Sequence, residues 1–258
     1  TRYWRDWSSD VCSSDLNKIN SDYVILTDDY ILNNKNFNGL KKYAWLVESP
    51  AIKPNSYKYV YENGNEFDKI FTFDKEILNK YENSYPLYIG GCHLEEDEIS
   101  YSHKKTKLIS MMISSKKYTD GHRLRYEIFN NKDKFKNVDF KGDGTGGGWS
   151  KKSLTTIDYK FSIVIENIKK DFYFTEKIID CFLSGCIPIY WGCPSIGDFF
   201  NKDGFLTFDN QSDLESIISD ESFLNDFYSR NTEIIIQNFN TALKYKIGDN
   251  QFFDKYYD

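Results

Sequence analysis

The chain has 258 residues, 40% hydrophobic and 17% aromatic, with a formal net charge of −6. That is enough apolar matter for one large core or two modest ones, while the acidic balance argues against broad binding to nucleic acid, which needs a basic excess. No apolar run reaches the roughly 18–20 residues of a membrane span and no signal peptide is visible, so the sequence reads as cytoplasmic, with peripheral attachment to the inner face of a membrane left open.

Residues 1–16 differ in style from the remainder. They repeat Ser-Ser-Asp at Ser8–Asp10 and Ser13–Asp15 and hold two of the chain's five arginines, Arg2 and Arg5. The stretch is similar to translated sequencing-adapter sequence and is set aside as an artefact. The natural N-terminus, with a first strand, is then expected to be missing.

From Asp22 onward the text is structural. Tyr23–Leu26, Tyr43–Val47, Lys69–Phe73 and Pro86–Ile89 are short, apolar and β-prone, and turn residues separate them. With a short helix at Asp74–Lys80 they suggest a Rossmann-like half. Glu48 lies just past the second of these strands, a good position for a functional carboxylate. The charged segment Cys92–Lys105 marks a domain boundary, dividing 17–105 from 106–258.

The second half alternates more regularly. Leu108–Ile113 is a predicted strand, and Asp120-Gly121 opens a helix that runs to about Asn131. Val138–Phe140 is a short strand, a glycine-rich loop spans Gly142–Gly148, and a helix is expected near Lys151–Ile157. Phe161–Ile165 is a strand. Thr175 caps a helix with the apolar stripe Ile178, Ile179, Phe182 and Leu183, and Gly185 stops it. Ile187–Trp191 and Phe205–Phe208 are further strands, and Leu214 to about Lys244 reads as two amphipathic helices. Strands alternating with helices predict an α/β protein with parallel sheets covered on both faces.

The stretch 159–199 gathers its polar groups at one end of that sheet, where α/β proteins bind ligands. The helix opened by Thr175 offers free N–H groups and a favourable dipole to an anion such as a diphosphate. Lys177 adds a full charge, and Glu176 can accept from sugar hydroxyls. An ordinary helix start with a solvated Glu-Lys pair fits the same periodicity. Other strings carry less. Gly142-x-Gly144-x-x-Gly147 satisfies a dinucleotide fingerprint without an immediate helix after it. His93, His103 and His122 are scattered, so no metal site is expected, and Asp28-Asp29 reads as a common strand-end turn. The five cysteines (Cys12, Cys92, Cys181, Cys186, Cys193) form neither a CxxC pair nor a secreted-type framework and read as reduced core fillers.

Residue order then narrows the reading. Glu166-Asn167, followed by Tyr173-x-Thr175-Glu176-Lys177, an apolar helix and Ile187-Pro188-Ile189-Tyr190-Trp191-Gly192, resembles the donor-binding motif of glycosyltransferase family 10, the α-1,3/1,4-fucosyltransferases. Arg123-Leu124-Arg125-Tyr126 followed by Val138-Asp139-Phe140-Lys141-Gly142 extends the resemblance upstream. It implies a GT-B enzyme, two Rossmann-like domains with the site in the cleft between them, the first domain truncated here and acceptor-facing. It also implies inverting transfer of L-fucose from GDP-β-L-fucose to a glycan acceptor, with no cofactor and no essential metal. By carry-over Lys177 and Arg123 neutralise the departing diphosphate, Arg123 fitting that position better than Arg125. Glu176 holds the ribose, Asn167 and Tyr173 approach the diphosphate and fucose, Glu166 lies in the sugar's immediate surroundings, and Arg125 and Thr175 are counted with the donor-binding residues. The family's catalytic base, a Glu, falls on Leu46 if Ser49-Pro50 is the anchor. Glu48 is therefore nominated as the base, with Glu62 and Glu66 in reserve. Two alternatives stay open: a transferase using another GDP-sugar, and an inactive sugar-nucleotide-binding fragment.

Overall fold

The computed structural model describes residues 22–88, 90–147 and 151–246; residues 1–16 lie outside them. Two parallel sheets organise the chain. The first has strands β1 (Tyr23–Thr27), β2 (Lys41–Trp45), β3 (Lys69–Thr72) and β4 (Ser84–Pro86), side by side in chain order. A 3₁₀ stretch at Asp28–Phe37, helix α1 (Pro54–Asn63) and helix α2 (Lys75–Lys80) connect them. Leu26, Ala44, Leu46, Val60, Ile70, Phe73 and Ile77 form their common core.

The second sheet holds β5 (Lys107–Met112), β6 (Val138–Lys141), β7 (Tyr159–Ile165), β8 (Ile187–Trp191) and β9 (Leu206–Thr207), in the spatial order β6-β5-β7-β8-β9. β7 is central and buried on both faces from Phe161 to Ile165, where Ser162 is the one polar residue. Pro188 is tolerated in β8 because pairing with β9 begins only at Ile189, so no ladder bond on that side is lost. Helices α3 (Asp120–Asn130) and α4 (Glu176–Leu183) follow β5 and β7. The strand order reverses between β5 and β7, and the crevice at their carboxyl ends is the topological switch point of the sheet.

Several predicted elements take a different form. α1 was not expected; Pro54 at its start occupies a position where the missing N–H costs nothing. The fourth strand lies at Ser84–Pro86 instead of Pro86–Ile89, and Ile89 falls outside the described residues. The helix expected near Lys151–Ile157 is a 3₁₀ turn, Lys152–Thr155, in a run of Ser and Thr whose hydroxyls favour local bonding over a regular helix. The C-terminal run forms three helices, not two: α5 (Gln211–Ser219), α6 (Glu221–Arg230) and α7 (Thr232–Leu243). Asp220 makes the first break by capping α6 through its bond from the Phe223 N–H. Among the described residues no helix is long and apolar enough to cross a membrane.

The segment between the sheets packs on the second one. Leu94 and Ile99 join its core, and the Lys105 ammonium donates to the carbonyls of Thr156, Ile157 and Ser184 at 3.0, 2.8 and 2.7 Å. The loop after β7 crosses the other way: Ile168, Phe172 and Tyr173 enter the core of the first sheet.

Candidate active site

Glu166, the residue after β7, is wholly buried. Its Oε1 accepts from the Thr175 N–H at 2.9 Å and its Oε2 from the Thr175 hydroxyl at 2.8 Å. The same hydroxyl oxygen caps α4 and accepts from the Lys177 ammonium at 3.0 Å. Lys177 Nζ also lies 3.1 Å from Glu176 Oε1 and 3.6 Å from Glu166 Oε2. The β7 end and the α4 start are thus held by one carboxylate, one hydroxyl and one ammonium.

Two glycines make this approach feasible. A Cβ on Gly192 would sit 2.6 Å from both the Glu166 Cγ and the Tyr190 hydroxyl. A Cβ on Gly121 would overlap the Glu166 carbonyl oxygen, because the first turn of α3 rests on the Glu166-Asn167 backbone, with the Gly121 N–H bonded to Asn167 O at 3.0 Å. Both α3 and α4 therefore start beside the switch-point crevice.

The charges balance around this junction. Burial pushes the Glu166 carboxyl above its usual range, opposed by Lys177. Burial also works against the Lys177 charge, but Glu176 and Glu166 outweigh it and hold the ammonium above its usual range. Arg125 is buried and donates to the Ile165 carbonyl; burial lowers its guanidinium, while Glu166 and Glu176 support its charge. His122 is pushed down to about 4, by burial first and then by Arg125, Lys116 and Lys177, so it is neutral at pH 7.

The expected site residues fall into two groups. Glu176 and Lys177 are partly exposed at the α4 start, Asn167 is half-buried beside them, and Arg123 is exposed on the α3 surface, paired with Asp120. Those four can meet a ligand. Glu166, Arg125, Thr175 and Tyr173 are enclosed. Tyr173 packs between the two halves. At 1% exposure it is closed into the first sheet's core, its ring 5.1 Å from that of Phe73, because its loop turns its apolar side that way. Burial, then Glu166, Glu48 and Glu176, hold its hydroxyl proton well above the ordinary tyrosine range. Tyr173 is thus the meeting point of the two halves, with carboxylates of both sheets in electrostatic reach.

Glu48 is half-buried, three residues beyond β2 at the carboxyl end of the first sheet. The Asp28 Oδ1 accepts from the Val47 and Glu48 N–H groups, each at 3.1 Å, and the Tyr57 hydroxyl donates to the Glu48 carbonyl at 2.8 Å. The reserves are elsewhere: Glu62 lies on α1 near its end, and Glu66 accepts from the Tyr59 hydroxyl at 2.6 Å. Sequence reasoning missed His93, whose N–H donates to the buried Asp180 at 2.8 Å and whose Nδ1 lies 3.9 Å from Glu176 Oε1. It also set aside Asp28. The cysteines fit the expectation where they are described: Cys181, Cys186 and Cys193 are buried free thiols, and burial pushes Cys92 up to about 12. The glycine-rich loop makes a 3₁₀ turn at Asp143–Thr145 instead of opening a helix.

Known proteins match this arrangement. The family model for glycosyltransferase family 10 (fucosyltransferase), C-terminal part, matches residues 102–251. The α-(1,3)-fucosyltransferase FucT of Helicobacter pylori is 34% identical over 80 residues, 31% of this chain and 17% of that protein. The chain spans between 13% and 32% of the length of the curated relatives it matches. An α1,3-fucosyltransferase solved with GDP-fucose superposes with a TM-score of 0.52 at 20% identity, covering 81% of this chain and 74% of that one. Anabaena HepE, solved with UDP-glucose, gives 0.61 at 11% identity over 90% of this chain and 78% of that one. The two parallel sheets are thus those of the GT-B fold that the sequence resemblance implied.

Proposed function

The chain belongs to glycosyltransferase family 10 (fucosyltransferase), and we propose that it transfers L-fucose from GDP-β-L-fucose to a hydroxyl of a glycan acceptor with inversion. The observation that carries this reading is the Glu166–Thr175–Lys177 junction at the switch point of the second sheet, where the α4 start meets the end of β7 and an ammonium is held beside Thr175, Glu166 and Glu176. In this reading the diphosphate lies against the α4 start. Lys177 and Arg123 neutralise it, Arg123 exchanging its exposed Asp120 partner for a phosphate. Glu176 turns to the ribose hydroxyls, and Asn167 lies beside the diphosphate.

Glu48 takes the proton of the acceptor hydroxyl. The acceptor oxygen bonds to the anomeric carbon as the bond to the β-phosphate oxygen breaks, through an oxocarbenium-like state, and GDP departs with the electron pair. The reaction asks for stabilisation of the charge developing on the leaving diphosphate, which fixed cations supply without reorganisation. Glu166 and Arg125 are scaffold in this scheme: they hold the donor loop and keep the junction charge-balanced. No metal is assigned a role.

Calorimetry with GDP, and GDP release from GDP-fucose, GDP-mannose and UDP-glucose, test the proposal. Expected are micromolar GDP binding, a strong loss of it in Lys177→Ala, and turnover of GDP-fucose above the other donors. Absence of GDP binding at high micromolar concentration would overturn it. Turnover of another GDP-sugar alone would reassign the donor.

A further inference from the structure

Asp28, the residue after β1 and the first of the 3₁₀ stretch, holds a left-handed backbone conformation, φ 44, which few residues with a side chain adopt. Its Oδ1 does not cap its own turn. It reaches across to the neighbouring strand and accepts two consecutive N–H groups, those of Val47 and Glu48, at 3.1 Å each. On the other side the Tyr57 hydroxyl, from α1, holds the Glu48 carbonyl at 2.8 Å. The Glu48 backbone is therefore fixed on both flanks by side chains from the residue after β1 and from α1, although it lies beyond the ladder of β2. Strain at one residue whose side chain serves another's backbone, at the carboxyl ends of two adjacent parallel strands, points to a functional constraint.

We propose that Asp28 is the positioning residue for Glu48: its carboxylate holds the Val47–Glu48 peptide so that the Glu48 side chain is presented to the acceptor hydroxyl. This rests on the reading of Glu48 as the base. Glu48 is among the carboxylates whose charge acts on Tyr173, in the loop after β7. Burial raises the Asp28 carboxyl to about 6 against the pull of the two N–H groups it accepts, with Glu48 adding to the rise and Lys53 opposing it. Lys53, bonded to Asp29, supplies the compensating charge, and the Tyr57 hydroxyl completes the set of titratable groups facing Asp28.

Two substitutions separate positioning from other roles. Asp28→Gly keeps the left-handed backbone without strain and deletes the acceptor; Asp28→Asn keeps an oxygen for both N–H groups and deletes the charge. The full chain is used, with GDP-fucose as probe and GDP release as readout, alongside amide hydrogen exchange. Expected for Asp28→Gly is a fall in kcat of at least tenfold with GDP affinity and the KM for GDP-fucose within twofold. The Val47 and Glu48 amides should exchange at least tenfold faster while those of Ile70 and Phe71 in β3 stay protected. Asp28→Asn should recover kcat to within about threefold and restore both amides. Unchanged exchange at Val47 and Glu48 in Asp28→Gly would overturn the proposal, whether or not the chain turns over donor. So would a kcat in Asp28→Asn as low as that of Glu48→Gln, which would make Asp28 a proton acceptor itself. A chain that binds no GDP overturns the donor reading alone, since amide exchange still decides whether Asp28 holds Glu48.

Discussion

A carboxyl that titrates near 6 in the folded chain, against an ordinary 3.8, holds its charge at pH 7 against roughly 3 kcal/mol. For Asp28 the sign is that of a raised carboxyl: between about pH 4 and pH 6 the folded chain binds more proton than the unfolded one, so stability falls as pH rises through that window. Asp28→Asn keeps the two amide bonds and removes the charge. It is expected to be more stable than the parent at pH 7 by about 1–3 kcal/mol, the gain vanishing below about pH 4. Paired urea unfolding curves at pH 4, 5, 6 and 7 check this, and a pH-independent difference would contradict it. Gly121 gives a second residue-level test. Alanine there drives a Cβ into the Glu166 carbonyl, a backbone atom that cannot step aside. A loss of at least about 1–3 kcal/mol is expected, with weaker GDP binding because the α3 start must lift from the crevice. Gly147→Ala, whose Cβ would meet the Thr145 hydroxyl alone among the described residues, at 3.5 Å, is the control and should fall within about 0.5 kcal/mol of the parent.

The elements around the switch point were legible because their signals are local. β7 is apolar but for Lys160 and Ser162, Thr175 is a helix cap, and Ile178, Ile179, Phe182 and Leu183 repeat with the helical period. α1 was illegible because Tyr and Asn are indifferent helix formers and Pro54 reads as a breaker until its place in the first turn is seen. The resemblance favoured Arg123 over Arg125 for the phosphate, but which of them faces inward was not legible: two residues apart on a helix they point about 200° apart, and only the neighbour decides. Asp28 was dismissed as a turn because its partners are 19 and 20 residues away, brought close by strand pairing alone. The α4 start offers an element-level test. Thr175→Val removes the cap and leaves a buried Glu166 oxygen without its donor, and these costs of about 1 kcal/mol and 1–3 kcal/mol act at one point. A destabilisation of about 2–4 kcal/mol with lost GDP affinity is expected, whereas Thr175→Ser should retain most of both. Equal stability of the Val and Ser variants in urea unfolding would remove the hydroxyl from its role.

The donor loop also ties the two sheets together. Lys170 pairs with Asp74 at 2.8 Å and Lys75 with Asp171 at 3.2 Å, so loop and α2 start exchange charges reciprocally. The second pair is exposed, and such pairs contribute only about 0–1 kcal/mol. The heavier tie is apolar: Tyr173, with Ile168 and Phe172, sits in the first sheet's core while its chain neighbours Phe174 and Thr175 belong to the second sheet. Phe172 holds a left-handed φ of 63 to make that crossing, with its N–H on the Ser195 hydroxyl at 3.0 Å and the Lys75 ammonium 4.4 Å from its ring centre. In a GT-B fold built this way the loop after β7 cannot move without disturbing the core of the first sheet, so under the proposed reading donor binding and the stability of the first sheet are linked. Tyr173→Ala should open a cavity beside Phe73 at a cost of about 3–5 kcal/mol, felt mainly by β1–β3. In the parent chain the amides of β1–β3 and of β7–β8 are expected to open together near the global limit. In Tyr173→Ala the first set should exchange through a separate, lower-energy opening while the second keeps its protection, and saturating GDP should rescue the first set only in the parent. If both sets lose protection equally in the variant, the two sheets form one cooperative unit and the loop is not the tie between them.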